Sequence, residues 1–146
     1  MARRFTLAEA QSLIPEVTRL LLGVVSLKGA YQEAEQAIQT WARRITMMGG
    51  VTVDRNQAID ARQRRDTSAA NLRSAIEQVQ AIGCVVKDLD IGLVDFPTEF
   101  RGEEVYLCWK LGEPKIEFWH GVEEGFRGRK AIDQDFRDHH RGDPAQ

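Results

Sequence analysis

Little in this sequence points directly to a reaction. Its 146 residues hold two cysteines, four prolines and 8% aromatic side chains. Cys84 and Cys108 stand 24 positions apart with no C-x-x-C spacing, which excludes a disulfide framework and a cysteine-based zinc set. Two buried thiols in a reducing compartment are the simpler expectation. Charge of one sign is lacking too. Lys and Arg number 20 against 22 Asp and Glu, a net charge of -2, which argues against a dedicated nucleic-acid or anionic-membrane binder. The longest apolar run, Leu20 to Val25, is broken by Gly23 and falls far short of a membrane span. After Met1-Ala2-Arg3-Arg4-Phe5, Glu9 and Gln11 fall where a signal peptide needs apolar residues. The expectation is a cytoplasmic protein without a membrane partner.

What is present is a long helical pattern. Thr6-Leu7-Ala8-Glu9 fits a capping box, so a helix is predicted from Leu7. Leu13, Val17, Leu20, Val24, Leu27, Tyr31, Ala34, Ile38, Trp41, Ile45 and Met48 then recur in alternating steps of four and three. That is a heptad seam, and Gly49-Gly50 is its stop signal. A helix of this length extends ~60 Å. Pro15 is expected to kink or interrupt it, and Gly23 leaves its continuity open. Val51 to Asp54 reads as a connection, and a second helix is predicted from Asn56 to Ile82 with Gly83 as its cap. Its seam (Ala61, Arg65, Ala69, Leu72, Ile76, Val79, Ile82) is apolar only in the second half. The pair is predicted to form an antiparallel hairpin, and a second copy of the chain is the simplest cover for its remaining apolar surface. Arg62, Arg64 and Arg65 can attract phosphate or RNA. The interleaved Asp60 and Asp66 favour a solvated, ion-paired face, so nucleic acid is not expected as a partner.

After Gly83 the period changes to two. Cys84 to Lys87, Ile91 to Pro97, Glu104 to Leu111 and Lys115 to His120 read as strands, with turns at Arg101-Gly102 and Gly112-Glu113-Pro114. Pro97 marks an edge or an end. A turn at Arg101-Gly102 brings Asp95 beside Cys108 and Phe96 beside Leu107. Pairing Leu111 with Ile116 sets Lys110 against Glu117, Trp109 against Phe118 and Leu107 against His120. On that register His120 shares a face with Leu107 and Trp109. Asp95, Tyr106, Cys108, Lys110, Glu117 and Trp119 occupy the other face, away from His120. The aromatic content of that second face suits a partner surface or a ligand pocket.

Three segments carry a family resemblance: Lys87 to Pro97 (KDLDIGLVDFP), Glu104 to Pro114 (EVYLCWKLGEP) and Trp119 to Arg129 (WHGVEEGFRGR). With the opening Phe5-Thr6-Leu7 through Leu13-Ile14-Pro15, the sequence resembles an uncharacterised prokaryotic family, domain of unknown function 2203. The resemblance implies no activity and carries over no catalytic residue.

Candidate binding residues are Asp95, Cys108, Trp119, His120, Arg127 and Arg129. His120 with Glu123 and Glu124 offers mixed ligands for zinc, iron or manganese. Three donors in a glycine-containing loop are few, so no metal is favoured and a hydrogen-bonded structural histidine is. Asp88, Asp90 and Asp95 lack the spacing of a calcium loop and suit caps and turns. Gly121, Gly125 and Gly128 with Arg127 and Arg129 can cradle an anion. A strap over the sheet anchored by Phe126 is the simpler role. A carboxylate beside Cys108 disfavours thiol catalysis, and no serine triad is present. No motif names a cofactor or a substrate.

The predicted fold is α+β: a long antiparallel helical hairpin packed against a three- to four-stranded antiparallel meander. Residues 1–133 form one domain, and residues 134–146, including His139-His140, form a mobile charged tail. The expected function is a non-enzymatic, homodimeric assembly or interaction protein. The alternative is a small metal- or anion-binding protein or enzyme with its site around His120 to Arg129.

Overall fold

A computed structural model describes residues 3–47 and 55–144. The predicted stop at Gly49-Gly50, the seam residue Met48 and the connection Val51 to Asp54 lie outside the described residues. Two long helices come first, α1 (Leu7–Met47) and α2 (Arg55–Ala81). Six strands follow: β1 (Val85–Asp88), β2 (Leu93–Phe100), β3 (Glu103–Lys110), β4 (Phe118–Gly121), β5 (Lys130–Ala131) and β6 (His140–Arg141). A short helix, α3 (Gln134–His139), precedes β6. The class is α+β, as the periodicities predict. The sheet has more strands than expected, because the segment after Gly121 adds β5 and β6.

The chain divides into two compact units. A sheet unit comprises Met1–Leu21 and Ile76–Gln146, and a helical unit comprises Leu22–Ala75. In the sheet unit the capping box forms as predicted. Glu9 N–H donates to Thr6 Oγ1 at 3.1 Å, and Thr6 N–H donates to Glu9 Oε1 at 3.0 Å. α1 is one helix through Pro15 and Gly23, so the expected interruption does not occur. Pro15 is exposed, whereas Ile14 and Val17 on either side of it are buried in the core and hold the helix in place. α2 ends at Gly83, whose φ of +112° suits glycine and whose N–H donates to the Gln80 carbonyl.

The sheet is an antiparallel meander in the order β1-β2-β3-β4-β5, with β6 added to β2. Arg101 and Gly102 both adopt positive φ (54° and 82°), the requirement of a two-residue hairpin turn. That turn fixes the β2–β3 register, with Asp95 opposite Cys108 and Phe96 opposite Leu107, as predicted. Pro97 lies inside β2 rather than at its end. Its strand tolerates it because the side opposite β3 is assembled from pieces. β1 pairs with residues 93–95, β6 pairs with Glu99 and Phe100, and between them Phe5 N–H donates to the Pro97 carbonyl. One sheet face, with Val94, Phe96, Val105, Leu107 and Trp109, joins Phe5, Ile14, Val17 and Leu21 in the core.

The C-terminal segment adds a helix to the sheet unit. There α3 seats a fully buried Phe136 against the rings of Phe100 and Trp119, 4.8 and 5.0 Å away. Asp133 caps α3 through the Phe136 N–H. His140 Nε2 accepts the Leu7 N–H at 2.8 Å, tying this segment to the start of α1.

In the helical unit the heptad seam is the buried stripe of α1, at Val24 and Ala34. Arg65, on the α2 seam, reaches Glu35 at 3.4 Å and Asp66 at 3.2 Å, and Arg64 pairs with Asp60 at 3.0 Å. The arginine cluster is thus interleaved with its acids in space as in sequence. No described helix is long and apolar enough to cross a membrane.

Candidate functional site

The site rests on a register that sequence reasoning misassigned by one residue. Cys108 pairs with Phe118, Leu107 with Trp119 and Tyr106 with His120. A shift of one turns every side chain of a strand to the opposite face. The cause lies in residues 111–117, which are tied by side chains rather than by the ladder. Ile116 N–H donates to Gln11 Oε1, Lys110 N–H donates to Glu113 Oε1, and Trp109 Nε1–H donates to the Glu113 carbonyl. Pairing starts only at Phe118, not at Lys115.

Two assignments change with that register. Trp119 leaves the second face and packs with Phe100 and Phe136, with Lys130 Nζ 4.6 Å from its ring. His120 takes its place beside Asp95 and Cys108. The signal was in the sequence: the shifted register puts Trp119 in the core and matches the polar His120 to the polar Asp95.

Asp95 and Cys108 are fully buried and His120 is 3% exposed. Their donor atoms, a carboxylate oxygen, a sulfur and an imidazole nitrogen, all lie within 4.8 Å of one another. His120 Nε2 is 3.0 Å from Asp95 Oδ1, and its Nδ1 is 2.8 Å from the Gly121 carbonyl. A carbonyl only accepts, so Nδ1 carries a hydrogen and Nε2 meets the carboxyl across a single shared proton. Asp95 Oδ2 is buried with no hydrogen-bond partner. Burial, reinforced by Asp95, pushes the Cys108 thiol up to about 12, and the nearby Arg129 guanidinium only partly opposes this. Cys108 is therefore a thiol at neutral pH and a poor nucleophile.

Arg129 closes one side of the site. Its guanidinium stacks on Phe118 and Phe126, 4.1 and 4.8 Å from the ring centres. Its Nη2 donates to Glu113 Oε1 at 2.6 Å and to the Cys108 carbonyl at 3.3 Å. The guanidinium is committed to Glu113, and Phe126, expected as the inserted anchor of a strap, is 40% exposed instead. Arg127 stays exposed, so the two arginines do not converge on one anion site.

The set His120, Glu123 and Glu124 is not assembled either. Glu123 is exposed, and Glu124 Oε1 accepts the Gly121 N–H and Lys130 Nζ. Among the described residues, Asp95, Cys108 and His120 form the donor cluster. Cys84 is a separate free, buried thiol, donating to the Val79 carbonyl.

A family model described as "Uncharacterized conserved protein (DUF2203)" matches residues 3–132. Neither the curated proteins nor the solved structures return a match. The match spans both helices, the first five strands and all three donors of the buried cluster, so the chain belongs to the uncharacterised DUF2203 family.

Proposed function

We propose that the chain is an assembly or interaction protein acting as a homodimer through its helical unit. The observation that carries this reading is the poverty of that unit's own core. Among its described residues only Val24, Ala34 and Ala61 are buried hydrophobics, and two of these are alanines. Leu22 (56%), Val25, Ile45, Met47 and Ile59 (52%) are exposed instead. A two-helix hairpin has no enclosed interior, whereas two hairpins side by side form a four-helix bundle that does. Burying each such side chain contributes ~1.5–3 kcal/mol, so several on each copy offset an association cost of about 4–15 kcal/mol. The free, buried thiols Cys84 and Cys108 suit a reducing cytoplasm.

Sedimentation velocity at micromolar concentration tests the reading. The native chain is expected to sediment as a dimer, and Leu22→Glu with Ile59→Glu as a monomer with unchanged near-ultraviolet dichroism. A native chain that is monomeric throughout that range sinks it.

A further inference from the structure

We propose that Asp95, Cys108 and His120 form a buried centre for a divalent cation of the zinc class. The three donors come from adjacent strands, β2, β3 and β4, and share one sheet face. Asp95 lies directly opposite Cys108, and His120 lies diagonal to it. The centre belongs to the sheet unit and does not depend on helical association.

Three observations converge on a cation. First, the donors are closer packed than their polarity warrants without one. A carboxylate, a thiol and an imidazole are withdrawn from water within 4.8 Å of one another. Withdrawing such groups from solvent is costly unless each is paired. Second, the pairing is incomplete, because Asp95 Oδ2 is buried and has no hydrogen-bond donor. Third, His120 is oriented as a ligand. Its Nδ1–H is anchored on the Gly121 carbonyl 2.8 Å away, which leaves the Nε2 lone pair directed at Asp95. A backbone carbonyl on the far nitrogen is the usual outer support of a metal-bound histidine. The cation takes the place of two protons, the one that Asp95 Oδ1 and His120 Nε2 now share and the one on the Cys108 thiol.

The donor chemistry selects the ion. One nitrogen, one sulfur and carboxylate oxygen suit a first-row divalent cation such as zinc. Calcium and magnesium call for oxygen ligands, roughly six or more, and gain nothing from a thiolate. Metal–donor lengths of about 2.0–2.3 Å require the three donor atoms, now within 4.8 Å of one another, to close in around the ion. The cluster supplies three ligand residues, one fewer than the four of a closed structural zinc site, so one coordination position stays open.

The full-length chain, stripped with a chelator and desalted, is titrated with Co²⁺ and then with Zn²⁺. One Co²⁺ per chain is expected to survive gel filtration, with sulfur-to-cobalt absorption in the near ultraviolet and intense tetrahedral bands in the visible. Zn²⁺ should bleach both. Cys108→Ser should abolish the sulfur band, and His120→Gln should weaken Zn²⁺ uptake by more than about tenfold. Less than stoichiometric uptake overturns the centre. So does bound Co²⁺ without the sulfur band in the native chain, a result that stands even if both variants misfold. A sulfur band that persists in Cys108→Ser places the ion elsewhere and overturns it too.

Discussion

The sheet unit and the helical unit use their residues to opposite ends. In the sheet unit Phe5, Phe96, Trp109 and Phe136 are all fully or almost fully buried, drawn from the first strand-like residues, two central strands and the last helix. The helical unit has length without depth, since the buried hydrophobics among its described residues are one valine and two alanines. A regular seam and good helix formers suffice to specify two helices, but stability comes from what the helices cover. The sheet unit supplies its own cover, from β6 and α3. The helical unit leaves Leu22, Val25 and Ile59 for another surface.

The sharpest way to test the contrast is to remove a ring from the better-packed unit. Phe136→Ala is expected to destabilise the chain by about 3–5 kcal/mol in urea unfolding, because its cavity lies among Phe100, Trp119 and His140. A loss below about 1 kcal/mol would return residues 134–144 to the status of a loose tail. Native-state hydrogen exchange probes the contrast without mutation. Amides of β2 and β3 should exchange only on global unfolding, and those of Leu22 to Met47 earlier, the more so on dilution. Equal protection in both units of a monomer would end the comparison.

A smaller effect is expected at the junction of sequence and fold. Thr6→Ala removes the cap of α1 and should cost about 1 kcal/mol. The reciprocal partner adds a pH signature. The Thr6 N–H, and then the Thr6 hydroxyl, hold the Glu9 carboxyl below its ordinary value in the folded chain. A depressed folded value gives stability that is present above the unfolded pKa and lost as pH falls through the folded one. The difference between native chain and Glu9→Gln should therefore shrink on acidification below the usual glutamate range. An unchanged difference would remove Glu9 from the cap.

The parts of this architecture legible in the sequence were those set by local chemistry. Thr6 and Glu9 mark a helix start, and Gly83 marks a helix end. Arg101-Gly102 fixes a hairpin whose turn is too short for any other register, and that placed Asp95 beside Cys108. What escaped was set at a distance. The β3–β4 connection takes its length from Gln11, far away in α1, and from Glu113 held by Arg129. A tidy alternation of charges and aromatics across that turn favoured the wrong register and turned His120 away from its partners. Two of the three residues of the candidate site, Asp95 and Cys108, were therefore readable together, and the third, His120, was not. Phe136, the single large apolar residue among charges, was the signal that the last segment docks.

The mosaic flank of β2 has a consequence for handling the protein. Phe5, β1 and β6 are the pieces that keep the backbone groups of β2 from presenting themselves to other molecules. Arg4 and Asp143 bond each other through backbone and side chain, so both ends of the described chain meet at that flank. Trimming either end does more than shorten the polypeptide. It uncovers one adhesive border at Pro97 to Phe100, from which chain-to-chain strand pairing would begin.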